Sequence, residues 1–294
     1  MSGQKIVLSG TPFTNPLLPK IRVDSLLSAG SLLLFDGSHS QGVFSGVPAI
    51  AGSAPNIAWV EAAALIGSGS ATTLAMIAGG SLGSSGKFVT ERTSKGGIHG
   101  IISQSAFASG TSAGYTLKVA NLIRDYMFAN LAHEYYVSAW SKVTRPSIGS
   151  ALGSPFISYQ STAAGSNDYL FQFRLGVPRA PTNGSRVYPS DTETSTAAGT
   201  NRFTNAKTAA LSGTGPISTS AATLLVGTLQ DEMGYSDLNK AASRIIYRSY
   251  IEDLTVSGRT YAEVDAIDYA LWQKAFGVGG KFYGDTYTSP STLP

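Results

Sequence analysis

The chain has 294 residues, a formal net charge of +3 and no cysteine, which excludes disulfides and cysteine-held metals. Charged residues make up only 13% of it, while hydrophobic residues reach 43%, with 14 tyrosines and 12 phenylalanines. That balance excludes a disordered chain, and the weak, scattered positive charge leaves no footprint for nucleic acid.

Residues 1–30 read as an extended N-terminal arm. The start, Met1 to Lys5, has no apolar core close behind its charge, so no signal peptide is expected. Pro12, Pro16 and Pro19 each remove a donor and bias the preceding residue toward extended backbone. Phe13, Leu17 and Leu18 need a surface to cover, either the chain's own body or a neighbouring copy. They are the candidate assembly residues.

Strand-like runs follow. Ser31–Phe35 ends at the turn signal Asp36-Gly37, and Pro55–Val60 reads as a second strand. Residues 62–86 read as a buried strand pair with Gly/Ser turns. A membrane span is not expected there, because serines and glycines break the apolar run. Gly97–Ser103 and His133–Arg145 continue the series. In Tyr169–Leu175, alternation puts Tyr169, Phe171, Phe173 and Leu175 on one face. Leu224–Val226 and Ile245–Ile251 complete it. Residues 178–222 form a long polar stretch, expected as an elaborated loop or one ordered by a partner.

Two segments read as helices. Ala120–Ala132 is expected to be short. Tyr261–Phe276 is stronger: Thr260 and Glu263 form a capping box, Val264, Ile267, Leu271 and Ala275 make a stripe, and Gly277 can stop the helix. Short strands with polar turns then predict a mainly β fold, an antiparallel sandwich spanning residues 31–285 with a C-terminal tail over 286–294.

The motifs for chemistry fail on spacing or context. Gly110–Gly114 matches a nucleophile elbow but lacks the flanking strand and helix. Gly80–Lys87 is one residue too long for a phosphate loop, and Phe88 stands where a hydroxyl is needed. His39, His99 and His133 share no zinc spacing. Glu263, Asp265 and Asp268 resemble the acid motif of polysaccharide-cleaving enzymes, but they fall on the helix and are expected on its solvated face. Glu252 and Asp253, at a strand end, point to opposite sides. No catalytic residue and no cofactor are therefore expected. Calcium held by loop oxygens is an open alternative, with Asp36, Asp231, Asp237, Asp253 and Asp285 as candidates. Trp59, Trp140 and Trp272 are candidates for a sugar platform, and core or interface is the better reading of them.

One stretch resembles a known family. Residues 242–264 look like the closing element of concanavalin/laminin-G-like domains. A late core strand gives way to the turn Glu252-Asp253-Leu254-Thr255-Val256-Ser257, and a helix then opens with Glu263-Val264. The glycines and aromatics of Gly279–Asp285 are similar to those of tailed-phage virion proteins. Leu32–Gly37 and His133–Trp140 resemble, less specifically, an opening strand and a central tryptophan strand of the same fold. The resemblance implies a concanavalin/laminin-G-like β-sandwich of jelly-roll type. It further implies a non-enzymatic phage virion subunit, a capsid-decoration, head-fibre, tail or baseplate protein assembled in the host cytoplasm. Its partners would be copies of itself and other virion proteins, with no nucleic acid and no membrane insertion. A carbohydrate-binding adhesin for a host-surface glycan is the first alternative, and a polysaccharide-cleaving enzyme the second.

Overall fold

Short apolar runs separated by turn residues pair here into two antiparallel sheets. The structure is a computed structural model and describes residues 23–81, 88–105, 114–130, 132–146, 155–163, 166–174, 185–188, 199–207, 223–230 and 242–294. The first sheet holds β1 (Ser31–Asp36), β4 (Phe88–Arg92), β5 (Ile98–Ile102), β7 (Tyr135–Arg145), β10 (Ser185–Tyr188), β11 (Gly199–Lys207) and β13 (Ser243–Asp253). The second holds β2 (Ser53–Ala54), β3 (Met76–Ser81), β6 (Gly114–Lys118), β8 (Pro155–Ala163), β9 (Ser166–Arg174) and β12 (Thr223–Gln230). The helices are α1 (Trp59–Ile66), α2 (Asn121–Ala129), the single turn α3 (Leu254–Ser257) and α4 (Tyr261–Phe276).

β13 is the centre of the first sheet. β7 runs along one edge of it from Asp253↔Tyr135 to Ser243↔Arg145. The other edge takes β5 at Arg244–Ile246 and β1 at Arg248–Glu252. All eleven residues of β13 are buried, because both faces of the sheet are covered. On one face Leu33, Val137, Ile246 and Ile251 meet Met76, Ala78, Tyr115 and Leu117 of the second sheet, with Ile123 and Met127 of α2 closing the end. On the other face α4 and the segment after it pack on Tyr136, Trp140, Ile245, Tyr247 and Tyr250. Each such large apolar side chain contributes about 1.5–3 kcal/mol by leaving water.

A register shift between Ile246 and Arg248 changes what this strand presents. Ile246 faces the second sheet, while Tyr247 packs under α4 and Arg248 lies over the Trp140 ring at 4.9 Å. A bulge re-aims a side chain in this way, and here it brings two consecutive large residues to the helix-covered face.

Several sequence expectations hold. Strands form at Ser31–Asp36, Ile98–Ile102, Tyr135–Arg145, Ser166–Arg174, Thr223–Gln230 and Ser243–Asp253. α4 has the expected bounds and capping box, with Thr260 Oγ1 accepting from the Glu263 amide and the Glu263 carboxylate from the Thr260 amide. Other expectations are corrected. The strand pair over 62–86 and the strand over Pro55–Val60 give way to α1. The Ala62–Ala64 run favours helix, and Gly67 ends it in the left-handed conformation at φ 80°, its N–H on Ala63 O. Only Met76–Ser81 of that stretch is a described strand. The polar stretch 178–222 is not only loop: it carries β10 and β11, and β11 pairs with β7 from Gly199↔Val143 to Lys207↔Tyr135.

Phe13, Leu17 and Leu18 lie outside the described residues. Of the residues expected as an arm, those described, from Val23 on, pack onto the body, with Leu26 and Leu27 buried beside Tyr250 and Val264. The tail over 286–294 also packs down: Arg145 donates to Pro290 O and Leu293 O, each at 2.9 Å.

Candidate functional site

A sheet buried on both faces must answer every polar side chain it carries. Under α4 the first sheet carries several. β11 brings Arg202, whose Nη1 donates to Asp265 Oδ1 at 2.6 Å and to Asp268 Oδ2 at 3.0 Å on α4. β7 adds the Trp140 indole N–H, 3.2 Å from Asp268 Oδ1, and the Tyr136 hydroxyl, 3.3 Å from Oδ2. Asp268 is therefore fully buried among three donors, and its place on a solvated helix face is corrected. Burial pushes the Asp268 carboxyl above its usual range, while Arg202 and Arg248 pull it back. Burial likewise opposes the Arg202 charge, but Asp265 and Asp268 outweigh it and push the guanidinium above its usual value.

A second ionic group lies beside it. Arg248 on β13 forks onto Asp24, with Nη2 to Oδ1 at 2.9 Å and Nη1 to Oδ2 at 3.0 Å, and also reaches Asp36 Oδ2 at 3.0 Å. Lys281 closes on the same Asp36 oxygen. Burial works against both carboxylate charges, yet Arg248, joined at Asp36 by Lys281, holds both acids below their ordinary range. Burial in turn lowers the Lys281 ammonium, against the pull of Asp36.

Between this group and the end of α4 is a cavity of about 410 Å³. Arg248, Asp24 and Trp140 line its sheet side, and Leu271, Lys274 and Lys281 line its helix side. Its wall from Val278 to Lys281 is held tightly. A Cβ on Gly280 would stand 2.1 Å from Lys274 O, and Phe282 N donates to Ala275 O at 2.9 Å. Only glycine lets the turn approach the helix end so closely.

No protein-family model, no curated protein and no solved structure matches the chain.

Four further clusters use residues that the sequence singles out. Glu252 accepts from Ser28 at 2.8 Å and Tyr250 at 2.7 Å, and pairs with Arg259. Asp253, facing the other way, accepts from Tyr126 at 2.8 Å, lies 2.7 Å from His133 Nδ1 and caps α3 through Val256 N. The two acids diverge as their strand position implies. Asp285 accepts from Tyr247 at 2.7 Å, Ser94 at 3.0 Å and the Lys95 amide at 2.8 Å.

The fourth is built on His99. Its Nε2 lies 2.8 Å from Thr144 Oγ1 and its Nδ1 2.8 Å from Glu91 Oε1. Hydroxyl, imidazole and carboxylate in that order can activate a nucleophile. Here, however, Tyr287 meets the imidazole edge-on at 5.1 Å, and Glu91 takes the Thr288 amide at 2.7 Å and hydroxyl at 2.6 Å. The line pins the C-terminal segment to the sheet. Burial lowers the imidazole from its ordinary value despite the Glu91 hydrogen bond, so it is neutral at pH 7.

Among the calcium candidates, Asp36, Asp253 and Asp285 are engaged as above, while Asp231 and Asp237 lie outside the described residues. No group of three or more His, Asp or Glu able to hold a metal occurs among the described residues. Trp140 is core, Trp272 is partly buried against Phe276, and Trp59 stands at the start of α1 with 36% exposure. Most of Gly80–Lys87 and Gly110–Gly114 lies outside the described residues. Among the described residues, no helix is long and apolar enough to cross a membrane.

The ionic groups under α4 escape a motif search because their members are scattered along the chain. A weaker signal was present. Arg248 interrupts the apolar run Ile245–Ile251, and Asp268 falls four residues after Val264, on the buried stripe itself.

Proposed function

We propose that this chain is a non-enzymatic structural component of a tailed-phage virion, a capsid-decoration, head-fibre, tail or baseplate subunit acting by protein–protein assembly. What its carboxylates do carries the reading. Asp36, Glu252, Asp253 and Asp268 are buried, and each is spent on holding one element to another. A retaining or inverting glycosidase needs two carboxyl groups facing one sugar, and acids committed to arginines and caps are poorly placed for that work. The two antiparallel sheets are compatible with the concanavalin/laminin-G-like domain that residues 242–264 resemble. The 13% charge content suits a surface that spends its life against neighbours. Exposed apolar side chains such as Val43, at 62%, are the kind that association would cover. Other virion proteins and copies of the chain in a symmetric oligomer are the partners on this reading.

Labelling of purified particles tests it. Copies at regular positions on head or tail support the reading, and a chain absent from purified particles sinks it. Removing residues 1–22 should leave the fold intact and weaken incorporation. The cut stops short of Asp24 because that residue is clamped by Arg248. Normal incorporation of the trimmed chain would remove Phe13, Leu17 and Leu18 from the mechanism.

A further inference from the structure

We propose that the cavity between β13 and the end of α4 is a binding site for a carboxylate-bearing sugar. This inference stands apart from the assembly reading, since a structural subunit and a soluble module can each carry such a site.

The cavity has the size of a small-molecule site, about 410 Å³ against the few hundred common for such pockets. Its chemistry is mixed in a way that suits a polyol with one charge. Lys274 and Lys281 supply donors at the mouth, and Asp24 supplies an acceptor. Leu271 and Val278 give an apolar wall for the C–H face of a ring. Arg248 lines the cavity, is almost fully buried, and has an Nε–H without a hydrogen-bond partner. That donor is closed to solvent, so the polar contacts to a ligand fall to the exposed Lys274 and Lys281.

Charge selects the sign and size of the ligand. Arg248 and Lys281 are answered by Asp24 and Asp36, whereas Lys274 is exposed and adds one positive charge. One carboxylate balances it. A dianionic phosphate would meet the two resident carboxylates with surplus charge. The site is also preformed, because Gly280 seats the turn on the helix end and Arg248 is held from two sides.

Titration of the full chain with glucuronate and N-acetylneuraminate, followed by calorimetry and by the Trp140 indole resonance, tests the assignment. Glucose and glucose 6-phosphate are the comparison ligands. Saturable binding of at least one acid, weaker for glucose and for glucose 6-phosphate, supports the proposal. Lys274→Glu changes an exposed residue and should weaken that binding about tenfold or more. Val278→Trp, also at an exposed position, should block it by filling the mouth. No saturable binding of either acid at millimolar concentration overturns the proposal, as does equal binding by both variants. Preference for glucose 6-phosphate overturns the carboxylate assignment.

Discussion

Arg202 Nη1 donates to Asp268 Oδ2 at 3.0 Å, so a strand from the polar stretch and the C-terminal helix share one buried charge pair. The two residues are 66 positions apart, and both are almost fully buried. The pair locks the third layer of the molecule, α4, to the sheet beneath it.

That lock sets the first prediction. Asp268→Ala leaves the Arg202 guanidinium buried without one of the two carboxylates that face it, and should lower stability by about 3–5 kcal/mol. A double variant, Arg202→Met with Asp268→Leu, should recover most of the loss, because it removes both charges together. Urea unfolding of the three chains measures this. A single variant within about 1 kcal/mol of the parent would mean that Asp265 alone satisfies Arg202.

Acid should weaken the Arg248 cluster. Asp24 and Asp36 have folded pKa values below the ordinary 3.8. The unfolded chain therefore binds their protons first as pH falls. Their contribution is complete above 3.8 and is lost as pH drops through the lower folded values. Melting temperature followed from pH 7 downward should fall in that window, and Asp36→Asn should flatten the fall. An unchanged acid profile in the variant would assign the effect elsewhere.

The C-terminal clamp should respond at milder pH. Burial keeps His99 neutral and below its ordinary 6.5, with Glu91, Asp285 and Lys142 as the charges that act on it. The unfolded chain takes up that proton first. The contribution is present above 6.5 and declines as pH falls through the folded value. Glu91→Gln should speed hydrogen exchange at the Thr288 amide, which the Glu91 carboxylate accepts at 2.7 Å. Parent-like protection of that amide would mean that the remaining contacts, those of Arg145 and Ser94 among them, hold the segment without Glu91.

The capping box is a local device with a local cost. Thr260→Ala removes the acceptor for the Glu263 amide, and should cost about 1 kcal/mol. Glu263→Gln retains the reciprocal bond to the Thr260 amide and should cost less. Thermal unfolding of the two variants gives the order, and the reverse order would place the main stabilisation on the Glu263 charge.

How much could be read in advance depended on range. α4 was legible because its cap, stripe and stop all lie within seventeen residues of one another, from Thr260 to Gly277. Tyr135–Arg145 and Ser243–Asp253 were legible as strands from their β-branched and aromatic content. α1 was misread because a run of alanines and leucine has no period to separate helix from buried strand. Asp268 was misread because a carboxylate on a helix is usually wet, and only Arg202 and Trp140, brought from elsewhere, make it dry.

Sequence alone therefore decided the class and several of the segments: a mainly β chain with short strands and one capped C-terminal helix. Backbone propensity and capping act within a few residues, so they are written locally. Only the tertiary structure decided what each charge does. Coulombic attraction depends on distance through space and on burial, and neither is set by spacing along the chain. That is why Arg248 meets Asp24 across 224 positions, and why the acids that look solvated or catalytic in the sequence hold the layers together in the fold.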